Sequence, residues 1–191
     1  MIVTTKNGIS EVLTSLRVQE NKLEDISQRF SDRGRNLFER CVQAQQEKDS
    51  YKASMYAEEI VQLKKMNGVV MRSQLSLRQV ALRIETLQDF KDAGVVLGPI
   101  VTVVNQIRGD LAGVVPEVAN GLAHVDEVLD TLIVEAGSTG GTVLDSSVSS
   151  EEARKILQEA SEISAVRMKG KFPELPTGSE RPAEASESLT Q

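Results

Sequence analysis

From Ile9 onward, apolar residues return every seven positions, at Ile9, Leu16, Leu23, Phe30, Leu37 and Ala44, with Leu13, Ile26 and Cys41 between them. Two helical turns take about seven residues, so these side chains share one side of a helix. The pattern predicts a helix of roughly 38 residues with one continuous apolar seam. Gly34 weakens it by about 1 kcal/mol relative to Ala, unless it admits a neighbouring backbone. Gln45 to Ser50 is polar and marks a short turn, with Asp49 or Ser50 placed to cap the next helix. A second seam follows at Tyr56, Leu63, Val70, Leu77 and Ile84, with Ile60, Met66, Val80 and Leu87 between. Two similar seams across a short turn predict an antiparallel helical hairpin over residues 6–92. At about 1.5 Å per residue each arm reaches roughly 55–60 Å, more than a globular domain of this mass needs. The hairpin therefore reads as a building block for a polymer rather than as a core.

At Asp92 the pattern changes. Gly94, Gly98-Pro99, Gly109 and Gly113 are expected to break residues 93–136 into short, hinged helices. Pro99 suits a first helical position, ahead of a stripe at Ile100, Val103, Val104, Ile107 and Leu111. Pro116 suits another, ahead of Val118, Leu122, Val125, Leu129 and Leu132. Residues 137–148 are rich in Gly, Ser and Thr and read as a flexible linker. Ser149 and Glu152 form a capping box that opens a helix over 149–169, striped by Ala153, Ile156, Leu157, Ala160 and Ile163. Residues 170–177 are held extended by their prolines. The tail, 178–191, is polar and acidic and is expected to be disordered. The fold class is all-α: a long hairpin followed by shorter hinged helices.

Composition supports this. The chain has four Phe, two Tyr and no Trp. Aromatics supply much of a compact core's buried area, so one thick core is not expected. The longest nearly uncharged stretch, 93–107, is too short to span a bilayer and is broken by glycine and proline. The N-terminus lacks the apolar core of a signal peptide, and a single cysteine fits a reducing, cytoplasmic setting. Any membrane contact is expected to be peripheral. The net charge of −6 is uneven: residues 1–91 carry 15 basic and 12 acidic side chains, whereas residues 92–191 carry 7 and 16. The basic half can attract an anionic surface or the chain's own acidic half.

No set of acid, base and nucleophile can be assembled, so no enzyme is expected. His124 lies alone, off its helical stripe, and is expected at the surface; Cys41 sits in the seam. There is no phosphate-binding loop motif. Neither a metal, a cofactor nor a nucleic-acid partner is expected. The basic residues carry more information. Arg29, Arg33, Arg35 and Arg40 crowd the first helix, and Lys48, Lys52, Lys64 and Lys65 continue past the turn. They are candidates for an anionic membrane, where each contributes about 1 kcal/mol. The alternative is pairing with neighbours such as Asp32 and Glu39 on a solvated face. Phe172-Pro173-Glu174-Leu175-Pro176 is too short to fold alone; its prolines favour docking into a groove, or it is plain linker.

Together these features resemble the ESCRT-III family, and most closely its archaeal CdvB-type cell-division members. Tyr56-Ala57-Glu58-Glu59-Ile60 and Lys64-Lys65-Met66 look like the family's second helix. Leu111-Ala112-Gly113-Val114-Val115-Pro116-Glu117-Val118 looks like the turn before its fourth. Ile156-Leu157-Gln158-Glu159-Ala160, followed by Phe172 to Pro176, is similar to the CdvB-type C-terminal region. The resemblance covers about residues 9–176. It implies filaments of this chain and its paralogues on membrane necks during division, at the inner face of the cell membrane, remodelled by an AAA ATPase with an MIT domain. Carried over by position, Phe172, Pro173, Leu175 and Pro176 would contact that MIT domain. Nothing after residue 176 resembles the segment by which some CdvB-type proteins bind CdvA. The chain is thus expected to join an existing filament. PspA-type membrane-stress proteins share the hairpin without needing the terminal Pro-Leu-Pro. The reading from another class is a non-polymerising coiled-coil adaptor or scaffold.

Overall fold

A computed structural model describes residues 2–86, 93–140 and 146–173, with side chains from 6 to 86, 96 to 135 and 151 to 173. The architecture is all-α, as the sequence predicts. Helix α1 spans Ile2–Gln46 and α2 spans Ser50–Glu85. At about 1.5 Å per residue they extend roughly 67 and 54 Å. The turn needs only three residues. Lys48 takes the left-handed conformation at φ 60°, which reverses the chain tightly. Asp49 caps α2, its carboxylate accepting from the Lys52 N–H at 3.1 Å.

The hairpin seam forms as the heptads predict. Leu16, Leu23, Leu37, Cys41 and Ala44 of α1 are buried with Ile60, Leu63, Val70, Leu77, Val80 and Ile84 of α2. Ile9, Leu13, Ile26, Phe30, Tyr56 and Met66 are partly buried at its edges; Leu87 lies outside the described residues.

The second half corrects two expectations. Helix α3 spans Ala93–Ala112 without a break, so Pro99 lies inside it and does not open it. Gly94, Gly98 and Gly109 are likewise helical, and the break falls only at Gly113–Val115. Burial explains this. Leu97, Ile100, Val103, Val104, Ile107 and Leu111 are each at most 1% exposed, and each such side chain contributes about 1.5–3 kcal/mol. That sum exceeds the cost of about 3 kcal/mol for an interior proline. Helix α4 spans Pro116–Gly140 and buries its whole expected stripe, Val118, Leu122, Val125, Leu129 and Leu132.

These helices make a core that the scarcity of aromatics argued against. Val12, Leu16 and Leu23 of α1 join Val70, Leu77, Val80, Ala81 and Ile84 of α2, the α3 and α4 stripes, and Ala153 and Ile156. Aliphatic side chains fill it, and one half of the hairpin belongs to it. The other half, toward the turn, is closed by smaller clusters, one of them only Cys41, Ala44 and Ala53 with Tyr56 and Ala57 at its edge.

Helix α5 spans Ser146–Lys171. It starts three residues before the expected capping box, and α4 runs four residues into the expected linker; the side chain of Ser149 lies outside the described residues. α5 returns along α2, antiparallel to it. Arg83 meets Glu152 at 3.0 Å, Gln79 donates to Glu159 at 3.0 Å, and Asn67 reaches Met168 at 3.3 Å. Its inward face is Ala153, Ile156, Ala160 and Ser164; Ile163, expected inward, is 42% exposed. Spacing of four carries the face from Ala160 to Ser164 and Met168, which leaves Ile163 to the side.

Candidate functional site

Among the described residues no group of acidic, His or Cys side chains could hold a metal ion. His124 is exposed, as expected, with its Nε2 3.0 Å from Glu11 and its Nδ1 3.9 Å from Glu127. Cys41 is buried and points at the Ala53 carbonyl. No described helix is long and apolar enough to cross a membrane. What the structure offers for function is two surfaces: the basic flank of the hairpin and the dock of α5.

The basic residues divide into two groups. Arg33 pairs with Glu59 across the hairpin, Arg35 with Asp32 at 3.1 Å, and Lys52 with Asp49 at 3.0 Å. The backbone N–H and ammonium of Lys52 hold the Asp49 carboxyl below its ordinary range, and the ammonium is itself held up. Arg29, Arg40, Lys48, Lys64 and Lys65 have no acidic partner among the described residues. Arg29, Arg40, Lys48 and Lys65 are exposed and Lys64 is half-buried. α3 and α4 cover the opposite end of the hairpin, so nothing described shields Arg35, Arg40, Lys48 or Lys52. An exposed ion pair is worth about 0–1 kcal/mol, comparable with one cation beside an anionic leaflet. The paired arginines are therefore not withheld from such a surface. By their spacing Arg29, Arg33 and Arg40 fall on one side of α1 and can present positive charge to such a surface, with the exposed acids Glu39 and Glu58 in the same stretch of the hairpin.

The second surface was not legible in the seams. Along α1, Ser27, Ser31 and Gly34 follow one another at helical spacing and are buried, and Asn67 of α2, at the same level of the hairpin, is buried too. Ser31 donates to the Ser27 carbonyl at 2.9 Å. Asn67, 0% exposed, offers its amide N–H only to the thioethers of Met71 and Met168, and its carbonyl oxygen has no partner. Lys171 spans to Ser27 at 3.4 Å and Glu24 at 3.7 Å. The first half of α5 joins the aliphatic core through Ala153 and Ile156, whereas the stretch around Ser164 and Met168 meets small and polar side chains. The signal that could have found this dock was the run of small polar residues beside the seam at spacings of four and three.

Phe172 is the exception. It ends α5 with 4% exposure, packed with Leu37, Ile60 and Leu63. Its ring lies on Gly34, where an added Cβ would stand 2.6 Å from Cε1. The gap left by Gly34 is filled by this ring, and not by a backbone. Pro173 is half-buried, while Leu175 and Pro176 lie outside the described residues. In this conformation, then, the first residue of the expected docking segment faces the hairpin.

No family model matches the chain, and no solved structure matches it. Among curated proteins it is 38% identical to Cell division protein B1 of Sulfolobus acidocaldarius over 161 residues, 84% of this chain and 75% of that one. The chain belongs to the CdvB-type family of archaeal cell-division proteins. It is also 28% identical to Cell division protein B of the same organism, over 91% of this chain and 67% of that protein. In this CdvB-type chain the matched lengths are large enough to take in both the hairpin and the helices packed on it.

Proposed function

We propose that this CdvB-type chain is a non-enzymatic subunit of an ESCRT-III-like filament that constricts the membrane neck during archaeal cell division. It works in the cytoplasm, peripherally, on the inner face of the cell membrane at the division site. It assembles with copies of itself and with paralogous subunits, and an MIT-domain AAA ATPase remodels the filament through the terminal segment. Family membership supports the role in division. The observation that carries the membrane reading is that Arg29, Arg40, Lys48, Lys64 and Lys65 have no acidic partner among the described residues and lie along a hairpin far longer than the core needs. The packing of α5 on the hairpin supports a closed, resting form that opens to polymerise.

Negative-stain microscopy of the full chain, with and without vesicles containing an anionic lipid, is the test. Filaments or coated tubules that need anionic vesicles are expected. A chain that stays monomeric on every lipid surface would leave an adaptor, and the filament role would be abandoned.

A further inference from the structure

Helix α5 leaves a shallow valley between itself and the outer flank of α2. Arg83 meets Glu152 and Gln79 donates to Glu159, so this side of α5 faces that flank. Steps of four, three and four carry the same side of α5 from Glu159 to Ile163, Val166 and Gly170. Along α2, steps of seven, four, three and four carry the flank from Gln79 to Arg72, Gly68, Lys65 and Val61. Asn67 meets Met168, so the two runs lie level with one another. The floor is open: a Cβ on Gly170 would meet nothing within 4 Å, and one on Gly68 only the Arg72 guanidinium at 3.5 Å.

The walls carry two kinds of side chain. Val166 is 73% exposed, Ile163 42% and Val61 38%, so three branched aliphatics meet water. Beside them Lys65, Arg72, Arg167 and Lys169 have no acidic partner among the described residues. Of the acids in this stretch, Glu59 pairs with Arg33, Glu159 and Glu162 each accept from a glutamine, and Glu58 is exposed. Cations interleaved with exposed aliphatics are what an interfacial helix presents to an anionic leaflet: the aliphatics reach the acyl boundary and the charges stay with the headgroups.

We propose that the end of α5 and the flank of α2 form one membrane-contacting face, with the headgroups of an anionic leaflet as its partner. This rests on the membrane reading above and adds that α5, while seated, enlarges the hairpin's membrane contact instead of masking it. Val166 projects from the surface and lines no pocket, which suits insertion into a soft interface better than the seating of a peptide anchor.

Flotation of the full chain with phosphatidylcholine vesicles, with and without phosphatidylglycerol, tests this on two double variants. Arg167→Glu with Lys169→Glu reverses charge at the valley. Arg154→Glu with Lys155→Glu makes the same change about 20 Å away along α5, roughly twice the screening length. Binding by the first is expected to fall about tenfold or more, because two cations leave the leaflet and two acids approach it; the second should lose about twofold at most. Amide exchange at residues 156–164 should match the parent in both, which shows that α5 is still seated. A polarity-sensitive fluorophore on Val166→Cys should shift to the blue with anionic vesicles and not with neutral ones; Cys41 is buried and should not label. Equal binding by the first double variant and the parent, equal loss in the two double variants, or a fluorophore that does not shift while the chain floats, overturns the shared face and leaves the hairpin contact standing. A parent that does not float on anionic vesicles removes the membrane reading, and this face with it.

Discussion

Asp126 on α4 is the clearest case of a side chain under opposing forces. Its Oδ2 accepts from Arg108 at 2.8 Å, while its Oδ1 is buried without a partner. Burial raises its pKa above the ordinary carboxylate value; Arg108 pulls the other way, and Asp130 adds to the rise. A raised carboxyl pKa means that the folded state binds the proton more readily than the unfolded chain. The stabilising contribution is full below the unfolded pKa and is lost as pH rises through the higher folded value. Asp126→Asn should therefore flatten a decline in stability that begins near the ordinary carboxyl pKa and ends above it. At pH 7 the variant should be at least as stable as the parent, since Arg108 is half-exposed and can turn to water. Thermal denaturation of both proteins from about pH 4 to pH 7 reads this out. A parent that gains stability with rising pH through that window, with no such gain in the variant, would reverse the assignment.

At the scale of elements, α3 and α5 differ in what holds them. α3 inserts six aliphatic side chains that are almost fully buried, whereas α5 contributes Ala153, Ile156 and Ala160 along its length and Phe172 at its end. A buried methyl is worth about 0.8 kcal/mol against about 1.5–3 for a leucine, so α5 is the element that leaves first. The dock also lowers the cost of leaving, because Ser27, Ser31, Asn67 and Gln74 accept water once uncovered. Asn67 marks the point most sharply, with an unpartnered oxygen in a fully buried site. Asn67→Leu removes that penalty with the same heavy-atom branching, filling the site with a larger apolar group. It should stabilise the protein by about 1 kcal/mol, raise Tm by roughly 2–4 °C, and slow amide exchange in the last turns of α5. A variant that melts lower would mean that the two thioether contacts outweigh the stranded carbonyl.

For the whole molecule, the uneven charge acts in two places. Some of it is spent internally: Lys22 meets Glu117 at 3.3 Å and Arg83 meets Glu152. Not every link runs from a basic hairpin to an acidic second half, since Lys171 of α5 reaches Glu24 of α1. Of the candidate cations, Arg29, Arg40, Lys48, Lys64 and Lys65 have no described acidic partner; Lys6, Arg72, Arg154, Arg167 and Lys169 have none either, so the unpaired positive charge is spread over the hairpin and α5. The full chain should float with vesicles containing anionic lipid. Binding should fall as salt rises, because exposed charges are screened over about 8–10 Å at ordinary ionic strength. Replacing Arg29, Arg40, Lys64 and Lys65 with Glu should abolish flotation while the helical signal is unchanged, since none of the four has a described ion-pair partner to lose. Flotation that ignores both salt and these substitutions would exclude an electrostatic membrane contact.

Periodicity alone determined the helices and their inward faces. A seven-residue return or a stripe at three and four admits one geometry; the α3 and α4 stripes follow it residue for residue, and the described part of the hairpin seam follows it with six of its members only partly buried. Candidate cations were also legible, because charge is a property of the residue. Whether a cation is free was not: Arg33 and Glu59 are 26 positions apart and meet only because the hairpin closes. Pro99 and the glycines of α3 misled for a related reason. Their cost is local and readable, while the burial that outweighs it comes from α2, α4 and α5. The α5 dock left only a faint trace, small polar residues at spacings of four and three, because serines and an asparagine carry no apolar signal and only a helix laid across them makes them interior. Gly34 read as a weak point in a helix. The ring that fills its gap arrives from 138 residues further along the chain, a distance that tertiary structure alone can close.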